Sequence, residues 1–221
     1  MLKHLGIIAD GNRRWAKSKG LPKIEGHRKG LEAIEKLVNA AVEAGVPYIS
    51  FYVFSTENWG RSAEEVSYIM KLAETHILRY AKKLAKKNVR LLILGSKDRI
   101  SPKLANIIDQ AERLTADCTG ATVCLCFNYG GEQEIADAAT AAAREGEITP
   151  EAIRKHLYHP EVPDVDMVVR TSGEERISGF MLWRVSYAEF MFVQKYFPEM
   201  GEEDIKIILK EYESRSRRFG K

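Results

Sequence analysis

Short apolar runs alternating with amphipathic helical stretches constrain this chain more than any other feature. The runs at residues 5–9, 48–54, 89–94, 122–127 and 167–169 are rich in branched and aromatic residues and end in Gly, Asn, Ser or Asp. A weaker sixth run covers 189–193. Between them, 27–44 and 63–86 carry the i, i+3, i+4, i+7 apolar stripe of a core-facing helix, and 102–116, 131–144, 150–157 and 202–214 fit further helices. This alternation predicts an α/β fold with a central, mainly parallel six-stranded sheet flanked by helices. With 221 residues, 45% of them hydrophobic, burial of roughly 70–75% of the unfolded surface is within reach. No linker or repeat interrupts the pattern, so a single domain over 1–221 is expected.

The formal net charge of +3, from 34 Lys and Arg against 31 Asp and Glu, is too mild for a nucleic-acid coat. An anion site must therefore come from local arginine clusters. The three cysteines, Cys118, Cys124 and Cys126, have no metal or disulfide spacing and fit a reduced, cytoplasmic protein. Cys124 and Cys126 share one face of a strand-like run and read as small buried apolar residues. No signal sequence or ~20-residue apolar span is present, so contact with a membrane would be peripheral.

The polar residues after the strands carry the chemistry. Residues 10–15 follow the first run, 55–61 the second, 128–131 the fourth and 170–176 the fifth. In a parallel sheet these four loops share the carboxyl edge, where open α/β folds bind ligands. Gly11 to Ser18 is one substitution from a phosphate loop, with Ala16 in place of glycine. Its bulky Arg13, Arg14 and Trp15 argue against a backbone wrapped round phosphates. The better reading places Asp10 at a strand end as a Mg²⁺ carboxylate, with Arg14 beside it for phosphate oxygens.

Together these residues resemble the cis-prenyltransferase family, typified by undecaprenyl diphosphate synthase. The resemblance rests on ordered blocks: Asp10 to Ala16, Gly26-His27, Phe54 to Arg61, Asn128 to Gly131, and Arg170 to Glu174 with Arg176-Ile177-Ser178. It continues through Leu182-Trp183, Tyr187 to Phe190 and the ending Arg217 to Gly220. It implies Mg²⁺-dependent condensation of an allylic prenyl diphosphate with isopentenyl diphosphate, forming a cis double bond and releasing diphosphate.

By that resemblance Asp10, Asn12 and Asn58 are catalytic, and Asp10 and Glu189 bind metal. Arg14 and His27 contact the allylic phosphates, while Arg170, Arg176 and Ser178 hold isopentenyl diphosphate. Gly11, Arg13, Trp15, Lys23, Ser55, Thr56, Glu57, Trp59 and Arg61 are expected around the substrates. Arg218 is expected to reach a partner subunit's acceptor site in a homodimer. A hydrophobic tunnel is expected between the sheet and helix 63–86, short enough for a short- to medium-chain product. Four positions depart from the family pattern: Lys23, Arg13, Gly179 and Arg184. Gly179 and Arg184 adjoin the acceptor block and open an alternative acceptor, an alcohol or a second allylic diphosphate.

Overall fold

The structure is a computed structural model and describes residues 1–215. Six parallel strands form one sheet in the order β3-β4-β2-β1-β5-β6. They are β1 (His4–Ile8), β2 (Tyr48–Ser55), β3 (Arg90–Leu94), β4 (Thr122–Tyr129), β5 (Met167–Arg170) and β6 (Glu189–Phe192). Each lies within two residues of an apolar run in the sequence. The runs are nearly continuous because inner strands of a parallel sheet are covered on both faces; every residue of β4 is buried.

One face carries the larger core. Leu5 and Ile7 of β1, Ile49 and Phe51 of β2, and Val123 and Leu125 of β4 pack there against helices. These are α2 (Lys23–Glu43), α3 (Ala63–Ala85), α4 (Pro102–Leu114) and α7 (Glu202–Ser214). Cys124 and Cys126 face the other side, where Phe180, Met181 and Val185 of an irregular segment cover them. Both are buried free thiols, and burial pushes the Cys124 thiol up to about 12. Nearby lie α5 (Gly131–Arg144) and α6 (Pro150–Lys155).

The sequence reading missed α1 (Asn12–Ser18), a helix in which only Ala16 is buried. It has no apolar stripe to announce it. Its place depends on two glycines one turn apart in α2. A Cβ on Gly26 would lie 2.0 Å from the Asn12 carbonyl oxygen, and one on Gly30 would lie 2.7 Å from Asn12 Oδ1. Residues 12–18 are therefore a helix docked on α2, capped by Gly11, and not a loop wrapped round a phosphate. No helix among the described residues is long and apolar enough to cross a membrane.

Arg184 is not an acceptor-site residue. It is fully buried and donates from Nη1 to Glu134 Oε1 at 2.8 Å and from Nη2 to the Tyr158 carbonyl at 2.8 Å. The Tyr129 hydroxyl donates to the second Glu134 oxygen at 2.5 Å. The pair ties α5 to the irregular segment, and its charges are matched within the core. Arg184→Gln strands the Glu134 charge and is expected to cost about 3–5 kcal/mol. Adding Glu134→Gln should recover most of that loss, as read from urea unfolding.

Candidate active site

The site lies where the strand order turns. β1 is flanked by β2 on one side and β5 on the other, and the loops leaving these three strands part above it. Between them opens a cleft of about 920 Å³, lined by residues 8–14, Tyr52, Val53, Ser55, Asn58, Arg61, Arg170, Arg176 and Ser178. Lys17 of α1 and Lys23 and His27 of α2 also line it.

Its centre is a ladder of alternating charges. Arg170 at the end of β5 donates from Nη2 to Asp10 Oδ2 at 2.9 Å. It donates from Nη1 to Ser178 Oγ at 2.9 Å and to the Arg176 carbonyl oxygen. Asp10 also meets Arg14 at 3.2 Å. Arg14 continues to Glu174 at 2.8 Å, and Glu174 to Arg176 at 2.6 Å. Burial pushes the Asp10 carboxyl up, but hydrogen bonds and charge from Arg170, then Arg14, outweigh it and hold it below the usual range. Asp10 is thus ionised at neutral pH. The Thr171 hydroxyl accepts from the Asp10 amide at 2.9 Å and donates to its carbonyl at 2.7 Å, which fixes the backbone beneath the carboxylate. Gly11 then takes φ 98°, where a Cβ would strike Tyr196 and Ser172.

A second cluster faces it across the cleft. Glu65, only 9% exposed, receives Arg61 at 3.0 Å and His27 Nε2 at 3.3 Å, with Arg13 at 3.7 Å. Burial and then the Arg61 charge lower the His27 pKa, so its imidazole is neutral at pH 7. Two buried polar atoms in the cleft's walls, Arg170 Nε and Asn12 Oδ1, have no hydrogen-bond partner.

Ser55, Asn58 and Arg61 reach the cleft, while Thr56, Glu57 and Trp59 do not line it. Residues 56–60 form a 3₁₀ turn. Three residues per turn place every third side chain on one side, a period the sequence reading did not apply. Trp15 also stays out of the lining. Glu189 is not brought to Asp10 within this chain. It begins β6 in register with Met167 and Leu5, whereas Asp10 follows Ile8, which is level with Arg170. Glu189 is thus at the opposite edge, 4.0 Å from Arg215. Arg218 lies outside the described residues. The loop after β4 does not line the cleft either; it stands behind the turn at 56–60. Gly179 has φ 77°, and its carbonyl accepts from Gly131 N at 3.0 Å. It serves the turn that follows Ser178. Lys17, Glu65, Glu174 and Val53 were not anticipated as site residues. A helix phase for α1 and the i, i+4 spacing of Arg61 and Glu65 were the available signals for the first two.

Val53 also borders a second, apolar pocket of about 80 Å³ between the sheet, α2 and α3, lined by Leu31, Ile34, Ile69, Ile77 and Phe127 among others. The polar, arginine-rich cleft is thus bordered at Val53 by an apolar recess.

The chain belongs to the undecaprenyl diphosphate synthase family of prenyltransferases: the family model described as "Putative undecaprenyl diphosphate synthase" matches residues 8–220. The isoprenyl transferase of Agrobacterium fabrum is 41% identical, with 99% of this chain and 92% of that protein aligned. A ditrans,polycis-undecaprenyl-diphosphate synthase of Vibrio parahaemolyticus, named as specific for (2E,6E)-farnesyl diphosphate, is 44% identical over 99% of this chain and 90% of its own. Among solved structures, lavandulyl diphosphate synthase from Lavandula x intermedia, in complex with dimethylallyl diphosphate, superposes with a TM-score of 0.95. It is 31% identical, and the match covers 100% of this chain and 98% of that one.

The Asp10–Arg170 pair makes a pH-dependent prediction. A depressed carboxyl pKa stabilises the fold above the unfolded value of 3.8 and is lost as pH falls through the folded value. The stability gap between wild type and Arg170→Gln should be full near pH 7 and narrow below about pH 4. Urea unfolding at the two pH values measures it.

Proposed function

We propose that this chain joins an allylic prenyl diphosphate to isopentenyl diphosphate, releasing diphosphate and leaving a cis double bond. The observation that carries the reading is the charge ladder from Arg170 through Asp10, Arg14 and Glu174 to Arg176. It presents three guanidiniums at one rim, and each charge-assisted contact to a phosphate oxygen is worth roughly 1.5–3 kcal/mol. The unpartnered Arg170 Nε in the wall supports an anionic ligand.

The donor set suits Mg²⁺. Asp10 is an ionised carboxylate facing the cleft, and among the described residues no group of three His, Cys, Asp or Glu could form a complete cage. That matches a cation taking one carboxylate and drawing the rest of its shell from phosphate and water. Bound at Asp10, Mg²⁺ would neutralise charge on the departing diphosphate and make it a better leaving group.

The chain's own residues then divide the work. Arg14, His27 and the amides after Asp10 hold the donor's diphosphate while its allylic C–O bond breaks. Arg170, Arg176 and Ser178 orient isopentenyl diphosphate so that its double bond attacks the electron-poor carbon. The released diphosphate then takes a proton from the new unit, and the electron pair of that C–H bond forms the double bond. Asn12 and Asn58 flank the reacting carbons. The growing tail passes Val53 into the apolar recess, whose small volume supports a short- to medium-chain product. Phe192 and Tyr187 are exposed at and beside β6, an edge of the sheet, which supports pairing with a second copy.

The test incubates the protein with Mg²⁺, isopentenyl diphosphate and, in turn, dimethylallyl, geranyl and farnesyl diphosphates, and reads products by mass spectrometry. Five-carbon extension of at least one donor is expected. Transfer only to an alcohol or to a second allylic diphosphate, or no transfer at all, would overturn the reading. In the same assay Val53→Ala should lengthen the product by one or more five-carbon units, and Val53→Phe should shorten it.

A further inference from the structure

Asn128, the last residue but one of β4, has left-handed backbone, φ 51°, and is 3% exposed. All its carboxamide groups are engaged. Oδ1 accepts the indole N–H of Trp59 at 2.7 Å, and Nδ2 donates to the carbonyls of Ser96 at 2.8 Å and Asp98 at 2.7 Å. Only this orientation works: a flipped amide would set NH₂ against the indole N–H and oxygen against two carbonyls. Trp59 is held on two further sides. Phe54 meets it edge-on at 5.4 Å, and the Arg99 guanidinium lies 4.6 Å above its ring.

Neither Asn128 nor Trp59 lines the cleft, yet Trp59 sits between two residues that do, Asn58 of its turn and Arg61 just after it. The turn buries none of its five residues and has 3₁₀ geometry, so its own hydrogen bonds hold it weakly. The Ser55 amide donates to Asn58 Oδ1 at 3.2 Å and Arg61 reaches Glu65 at 3.0 Å; Trp59 adds the tie that fixes the turn against the β4 loop. We propose that the Asn128–Trp59 hydrogen bond is a positioning contact that sets Asn58 and Arg61 at the cleft, so that the β4 loop acts on the reaction without touching substrate.

The proposal rests on the prenyl-transfer reading for its kinetic consequence only. A shift of about 1 Å in a group beside reacting atoms can cost ~100-fold in rate. In the proposed reaction the donor's diphosphate is held by Arg14, His27 and the amides after Asp10, none of which belongs to the 56–60 turn.

The experiment compares wild type, Trp59→Phe, Asn128→Ala and the double variant. Trp59→Phe removes the indole N–H while leaving an aromatic ring against Phe54. Each single variant is expected to lower kcat about 10–100-fold while the KM for the allylic diphosphate stays within roughly threefold. The double variant should be no worse than the more severe single one, because both break the same bond. Hydrogen exchange read by mass spectrometry should quicken over residues 55–61. A folded Trp59→Phe protein with wild-type kcat and wild-type exchange would overturn the proposal. It remains decisive even if Asn128→Ala fails to fold. Should wild type transfer no prenyl group, the reaction reading fails by itself, and the exchange comparison alone decides the clamp.

Discussion

The ion pair between Asp10 and Arg170 is the contact on which the site depends. It joins residues 160 positions apart in the chain, and it exists because β1 and β5 are neighbours whose carboxyl ends meet at one edge. Arg170 is 5% exposed in its side chain. A guanidinium so enclosed is costly unless its donors are matched. Asp10, Ser178 Oγ and the Arg176 carbonyl match three of them. The same contacts aim the loop after β5 at the loop after β1. Arg14 and Arg176 then reach the same rim through Glu174.

Around this pair the fold invests its close packing. Gly26 and Gly30 let α1 lie against α2, which brings Asn12 and Arg14 over the end of β1. Glu65 gathers His27, Arg61 and Arg13 on the facing wall. The arginines are thus already arranged before any anion arrives, and little reorganisation is left for binding. The apolar recess beyond Val53 is built from the same α2 and α3 stripes that form the core. The polar cleft and the apolar recess therefore share one wall at Val53.

Much of this was legible in the sequence, for physical reasons. Inner strands of a parallel sheet must be apolar on both faces, so they stand out as runs. The residues after them must lie at the carboxyl edge, which placed Asp10, Arg14, Arg170 and Ser178 in one cleft. What stayed hidden depends on relations the one-dimensional pattern does not carry. Helix α1 follows from two glycines on another helix, not from a stripe of its own. Arg184 looks like an exposed charge until Glu134, 50 residues away, is found buried beside it. The edge occupied by Glu189 is set by the register of β6. Trp59 looked like a substrate contact because its neighbours Asn58 and Arg61 line the cleft, while the three-residue period of its turn directs it to Asn128.

The most direct measurement of the central claim is a crystal structure grown with inorganic pyrophosphate and Mg²⁺. The account predicts pyrophosphate in the cleft, its oxygens on the guanidiniums of Arg14 or of Arg170 and Arg176, with Mg²⁺ held at Asp10. Pyrophosphate bound elsewhere, or a cleft that stays empty at saturating concentration, would contradict it.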